Sequence, residues 1–212
     1  MNKLTQIGMK YACDKVDIHH TYRNETYLDV YEKYFDKFRD KKINFLELGV
    51  REGASIKIWK DYFTDVNIVG VDIMERCKNI FIGYPNIHIE IGSQGDEKFI
   101  NSIIEKYGPF DIILDDASHI NQLSIKSFEL LQNSLNSDGY YIIEDLRNSY
   151  ENLTEDVKQW PGMHLNNDIN FDNSITRKDL DNMLLSKIKD IDYRKSNFKS
   201  VHFHSQMVIL EK

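Results

Sequence analysis

The chain has 212 residues, 41% of them hydrophobic and 29% charged, with three prolines and ten glycines; this suits one globular domain with a sizeable core and excludes a collagenous or disordered chain. The formal net charge of -7 gives no general field for nucleic acid, because phosphate binding needs clustered Lys and Arg. No stretch approaches the roughly 20 apolar residues that span a bilayer, and the opening Met1-Asn2-Lys3-Leu4-Thr5-Gln6 lacks the apolar core of a signal peptide, so the cytoplasm is the expected location.

The first 40 residues read as a helical N-terminal segment. Cys13 in it and Cys77 further on stand in no metal-ligand spacing and read as small buried hydrophobes in a reducing compartment. Tyr27, Val30, Tyr31, Tyr34, Phe35 and Phe38 recur at helical spacing and predict a helix over Tyr27 to Phe38. Asn44 to Leu48 is a short strand ending at Gly49, and Ala54 to Phe63 is helical. Asn67 to Val71 is a second strand ending at Asp72, and Asn86 to Ile91 a third ending at Gly92. Lys98 to Tyr107 is a helix stopped by Gly108-Pro109. Phe110 to Leu114 is the fourth strand, followed by a helix over Gln122 to Leu135 and a turn at Ser137-Asp138-Gly139. Tyr140 to Ile143 is the fifth strand. Each strand is apolar on both faces, as parallel strands covered by helices are.

Strand and helix alternate, which predicts a doubly wound α/β sheet. At the C-terminus, Asp190 to Tyr193 and Ser200 to Leu210 read as an antiparallel pair turning near Ser196-Asn197. The expectation is a mostly parallel sheet of seven strands, five parallel and a closing hairpin. Ser149 to Ser174, rich in Asn and Asp and holding Pro161 and Gly162, reads as a long substrate loop with one helical turn at most.

Ligands of such sheets bind beyond the carboxyl ends of the strands. Those ends carry Glu47 and Gly49, Asp72, Gly92-Ser93-Gln94, Asp115-Asp116, and Glu144-Asp145. In Leu46 to Gly53 a strand enters a glycine turn and a helix leaves it. Glycine lets backbone approach a ligand, but the segment has G-x-x-x-G, not the G-x-G-x-x-G of dinucleotide sites. Glu47 would repel a pyrophosphate and suits a cationic ligand. Asp72, 19 residues after Gly53, can accept both hydroxyls of a ribose.

Asp115, Asp116, Glu144 and Asp145 crowd the ends of two strands that should lie about 4.8 Å apart. Like charges so close are costly, and a cation relieves them; an all-oxygen set suits Mg²⁺, Mn²⁺ or Ca²⁺ better than zinc. The alternative is that these acids cap helices or pair with Arg147 and lysines. His119, three residues after Asp116, can take a proton from a hydroxyl near neutral pH. His202 and His204 read as surface or packing residues of the closing strand. Trp160 and His164 either stack on a sugar face or anchor the long loop.

The pattern E-x-G-x-x-x-G followed by a strand-end Asp looks like the cofactor motifs of class I S-adenosylmethionine (SAM)-dependent methyltransferases. Taken with Tyr11-Ala12-Cys13-Asp14-Lys15 and the following His20, Tyr22 and Tyr31, with Asp115 to His119, with Glu144-Asp145 and with the closing strand Val201 to Lys212, the chain resembles the metal-dependent sugar O-methyltransferases of the macrolide 2-O-methyltransferase and cephalosporin-hydroxylase-like group. The resemblance implies one Rossmann-like domain over 1–212. It implies that Glu47, Gly49, Gly53, Asp72, Ser93, Gln94 and Asp115 line the SAM site, that Asp116, Glu144 and Asp145 hold Mg²⁺, and that His119 is the general base. The acceptor would be a sugar or nucleotide sugar of a capsule, lipopolysaccharide or natural product. A homo-oligomer is compatible with the resemblance, though assembly seen in larger relatives does not carry over by itself. Ala12-Cys13 stands where that group has Gly-Thr, which leaves the roles of Asp14 and Lys15 open. Three other readings stay in view: a methyltransferase acting on a catechol or other small diol, a dinucleotide-binding oxidoreductase, and a non-catalytic metal- or sugar-binding module.

Overall fold

The alternating apolar and amphipathic runs form, in the computed structural model of this protein, one seven-stranded sheet with helices on both faces. The structure describes residues 1–16, 25–150, 171–172 and 174–212. β1 (Lys42–Leu48), β2 (Asp65–Asp72), β3 (Ile87–Ile91), β4 (Phe110–Asp115) and β5 (Leu135–Ile143) run parallel, and β6 (Ser200–His204) and β7 (Met207–Glu211) close the sheet as an antiparallel pair. The order β3-β2-β1-β4-β5-β7-β6 puts the topological switch between β1 and β4, where ligands of doubly wound sheets bind. This is the expected fold class.

Side chains alternate across the sheet, so each strand feeds two cores. Phe45 joins α1 (Lys3–Lys10), α2 (Tyr27–Phe35) and α3 (Ala54–Tyr62) on one face; Leu46 and Leu48 join α4 (Glu97–Tyr107), α5 (Asn121–Leu131) and α6 (Arg177–Asp192) on the other. Trp59 of α3 is fully buried and stacks on Phe45 with ring centroids 5.3 Å apart; such a pair contributes about 0.5–1.5 kcal/mol beyond the area it buries. A capping box starts α2: the Asp29 amide donates to Thr26 Oγ1 (3.1 Å) and the Thr26 amide to Asp29 Oδ2 (2.9 Å), which satisfies donors the first turn would leave unpaired.

Three expectations need correction. Asp190 and its neighbours are not a strand; they end α6, whose buried face is Leu180 and Leu184. The closing hairpin is made within the last 13 residues, with β6 paired to β7 from Ser200↔Glu211 to His204↔Met207. Its turn holds Gln206 at φ 63, a left-handed position with no glycine to mark it in the sequence. Finally, Ser137-Asp138-Gly139 lies inside β5, not between elements. The pairing with β4 shifts register between Phe110 and Ile112, and Asp138 has φ 64, so the turn-forming residues mark a bulge. The predicted helix over Gln122 to Leu135 is α5 followed by a 3-10 turn, Gln132–Ser134. Most of the long loop from Ser149 to Ser174, with Trp160 and His164, lies outside the described residues, as do His19, His20 and Tyr22.

Candidate active site

The carboxyl ends of the parallel strands open onto a cleft of about 780 Å³. Of the residues expected there, Gly49, Asp72, Ser93, Gln94, Asp116, His119 and Asp145 line it; Glu47, Gly53, Asp115 and Glu144 do not. Each exclusion has a local cause. Glu47 lies on the same face of β1 as Phe45, so it points beneath α3, where its Oε2 accepts from the Trp59 indole at 2.9 Å. Burial raises its pKa to about 7, with the Lys15 ammonium opposing. Gly53 is at φ 73, and a Cβ there would press on the Phe81 ring at 2.6 Å, so it serves helix packing. Asp115 is buried beneath the cleft, accepting from Gln94 Nε2 (3.0 and 3.1 Å) and Ser127 Oγ (2.7 Å); burial raises its pKa to about 6.

The glycine turn after β1 is braced by Asp72. Its Oδ2 accepts from the amides of Val50 (2.8 Å) and Arg51 (2.9 Å), and its Oδ1 from the amide of Met74 (2.8 Å). Gln94 then ties the third strand end to the fourth: its amide nitrogen reaches Asp115 and its Oε1 accepts from the Ser118 amide at 3.0 Å. Ala12, Arg51, His119 and Asp145 all line the cleft and all have positive φ, between 48 and 57. Such left-handed non-glycine positions cost about 1–3 kcal/mol each and gather at functional sites.

Beyond that turn, Asp116, His119 and Asp145 converge. One ligand atom from each lies within 4.8 Å of the others; His119 Nε2 is 3.6 Å from Asp145 Oδ2 and 3.9 Å from Asp116 Oδ1. Glu144 stands behind them, almost fully buried. Its Oε2 is 2.5 Å from Lys15 Nζ and its Oε1 accepts from the Tyr31 hydroxyl. Lys15 Nζ also lies 2.5 Å from Asp116 Oδ2. Burial pulls the Lys15 pKa down, but Asp116 and Glu144 outweigh it and hold the ammonium well above its ordinary value. Burial and the Asp116 charge push the Glu144 carboxyl up, against Lys15. Tyr27 donates to Asp145 Oδ1 at 2.8 Å.

Pairing of the acids with a lysine, one of the two sequence readings, is therefore present at Asp116 and Glu144, while Asp116, His119 and Asp145 converge on the cleft. The carboxylates of that group suit a hard divalent cation and the imidazole beside them suits proton transfer. Lys15, Tyr27 and Tyr31 are the site residues that sequence reasoning placed without a role. Lys15 was marked by the Tyr11 to Lys15 element and the two tyrosines by the helical spacing of Tyr27 to Phe38, and only the packing of the N-terminal segment against α3 and the strand ends shows what they do.

No family model matches the sequence. Over 154 residues the chain is 32% identical to the 8-demethyl-8-alpha-L-rhamnosyl tetracenomycin-C 2'-O-methyltransferase of Streptomyces olivaceus, covering 69% of this chain and 38% of that protein. Over 166 residues it is 31% identical to the mycinamicin VI 2''-O-methyltransferase of Micromonospora griseorubida, covering 75% of this chain and 37% of that one. Among solved structures, the MycE methyltransferase of the mycinamycin biosynthetic pathway, in complex with Mg, SAH and mycinamycin VI, superposes with a TM-score of 0.76 at 26% identity, over 100% of this chain and 54% of that one. The chain belongs to the family of these sugar O-methyltransferases. It spans well under half the length of the two curated family members. A putative caffeoyl-CoA O-methyltransferase from Staphylococcus aureus shares the methyltransferase fold, with a TM-score of 0.61 at 13% identity. No helix among the described residues is long and apolar enough to cross a membrane.

Proposed function

We propose that this chain transfers the methyl group of SAM to a sugar hydroxyl, with a divalent cation (Mg²⁺, or Mn²⁺ or Ca²⁺) in the site. The observation that carries the reading is the convergence of Asp116, His119 and Asp145 beside the Gly49 turn in a single cleft. The family relationship supports it, as does the SAH and Mg present with MycE. Gly49, Asp72, Ser93 and Gln94 would hold the cofactor; Glu47, Gly53 and Asp115 would support that side from below. Asp116, Glu144 and Asp145 would hold the cation, with Glu144 kept in place by Lys15 and Tyr31.

A bound divalent cation would polarise an acceptor hydroxyl and lower its pKa. His119 Nε2 takes the hydroxyl proton as the oxygen–methyl bond forms and the sulfur–methyl bond breaks. Asp145 Oδ2 and Asp116 Oδ1 lie 3.6 and 3.9 Å from that nitrogen, so the base stands beside the acids. The strand-end backbone fixes the cofactor side and the acid side against each other, which is what an in-line displacement requires.

A two-oxygen acceptor, such as the vicinal diol of a sugar or nucleotide sugar, would suit a cation held by these carboxylates. Two buried free thiols, Cys13 and Cys77, fit a reducing cytoplasm. One domain, alone or in a homo-oligomer, is the unit proposed, with Lys15, Tyr27 and Tyr31 of the N-terminal segment packed against the acids. Calorimetric titration tests the cofactor assignment: SAH should bind and NAD should not. Binding of NAD with no response to SAH would make the chain a dinucleotide protein.

A further inference from the structure

One cation is already built into the acid cluster. Lys15 is 3% exposed, and its ammonium stands 2.5 Å from both Asp116 Oδ2 and Glu144 Oε2. It does not come from the sheet. It sits on a 3-10 turn, Asp14–Val16, that packs back over strand ends about a hundred residues away in sequence.

That turn is held tightly. The Cys13 amide donates to the Gly8 carbonyl at 3.1 Å, Ala12 is in the left-handed region, and Gly8 has no room for a Cβ between Leu28 and Val16. The turn that carries the ammonium therefore has little freedom to withdraw when the cluster gains a ligand. Charge-assisted contacts this short are strong, and a buried ammonium without its partners is costly.

Charge then decides what else the cluster can take. Asp116, Glu144 and Asp145 carry three negative charges when ionised. One fixed ammonium leaves two. We propose that Lys15 is a resident counter-cation that sets the residual charge of the acid cluster at two and so matches it to a divalent cation in preference to a trivalent one. The proposal rests on the reading above that a cation binds at Asp116 and Asp145. Lys15 is a positioning residue here; it holds Asp116 and Glu144 and meets neither acceptor nor methyl group.

The test is the ratio of Tb³⁺ to Mg²⁺ affinity, read by terbium luminescence with Mg²⁺ competition on the full chain. Wild-type protein that binds neither ion refutes the metal reading itself. If wild type binds Mg²⁺, Lys15→Met should shift the ratio toward Tb³⁺ by at least about tenfold, since it keeps the apolar stem and removes only the charge. Lys15→Arg keeps the charge and should leave the ratio near wild type. An unchanged ratio in Lys15→Met, or an equal shift in Lys15→Arg, overturns the proposal. Should Lys15→Met not fold, Lys15→Gln, which keeps a donor for the two carboxylates and lacks the charge, takes its place: the same tenfold shift toward Tb³⁺ is expected, and an unchanged ratio overturns the proposal.

Discussion

A Cβ on Gly49 would overlap the carbonyl oxygen of Asp116 and stand 2.8 Å from its carbonyl carbon. The glycine turn after β1 and the acid-bearing end of β4 are thus in backbone contact, bridged further by the Asp116 amide donating to the Leu48 carbonyl at 2.9 Å. Two sites that read as separate motifs in the sequence are one rigid unit. Gly49 is also at φ 95, where a side chain is strained whatever the space.

Gly49→Ala should therefore damage both halves at once. Overlap and a left-handed alanine together should cost more than about 3 kcal/mol, a fall in Tm of about 6–12 °C in a domain of this size. Calorimetry should show SAH binding lost in the same variant. A variant with wild-type Tm and SAH affinity would show that the contact is slack.

His119→Ala should separate chemistry from binding. Loss of a general base lowers turnover by about 10²–10⁴-fold. Asp72, which braces the Gly49 turn, does not bond to the imidazole, so SAH affinity should stay within about threefold of wild type. Both are measured on one preparation, by methyl transfer and by titration. Equal losses in turnover and in SAH binding would give His119 a structural role.

Glu47 should make stability depend on pH. Its pKa rises from an ordinary 4.5 to about 7 on folding because it is fully buried, with Lys15 and Trp59 opposing and Asp116 adding to the rise. The folded state then binds more protons than the unfolded state between those values. The stabilisation from this group is complete below about 4.5 and is lost as pH rises through about 7. Glu47→Gln keeps an oxygen for the Trp59 indole and cannot ionise. Its Tm relative to wild type should climb between pH 5 and pH 8, by at least about 4 °C. A gap that stays flat across that range would mean Glu47 is ionised throughout.

Most of the sheet was legible because parallel strands buried on both faces leave short apolar runs, and because each run ends where an acid or glycine begins. Asp72, Asp116 and Asp145 were found that way. Glu47 was legible as a strand-end acid but not in its direction: two residues before Gly49, it points with Phe45 beneath α3 instead of into the cleft. Lys15 carried no periodic signal at all. Its contacts with Asp116 and Glu144 depend on the N-terminal segment folding back over the sheet. α6 was missed because its mean character is polar, with Leu180 and Leu184 its two buried residues. The Asp179 carboxylate that accepts from the Thr176 amide at 2.8 Å was the start signal available in the sequence. The hairpin turn was misplaced because Gln206 adopts a left-handed conformation without glycine or asparagine beside it.

Methyl transfer from isotopically labelled SAM to a rhamnose-bearing glycoside, run with Mg²⁺ and again in excess chelator, tests the central claim most directly. Label should appear on a sugar hydroxyl with Mg²⁺, vanish with chelator and return when Mg²⁺ is restored. Transfer at the full rate in excess chelator would contradict the account, because Asp116, Glu144 and Asp145 would then have no cation to hold.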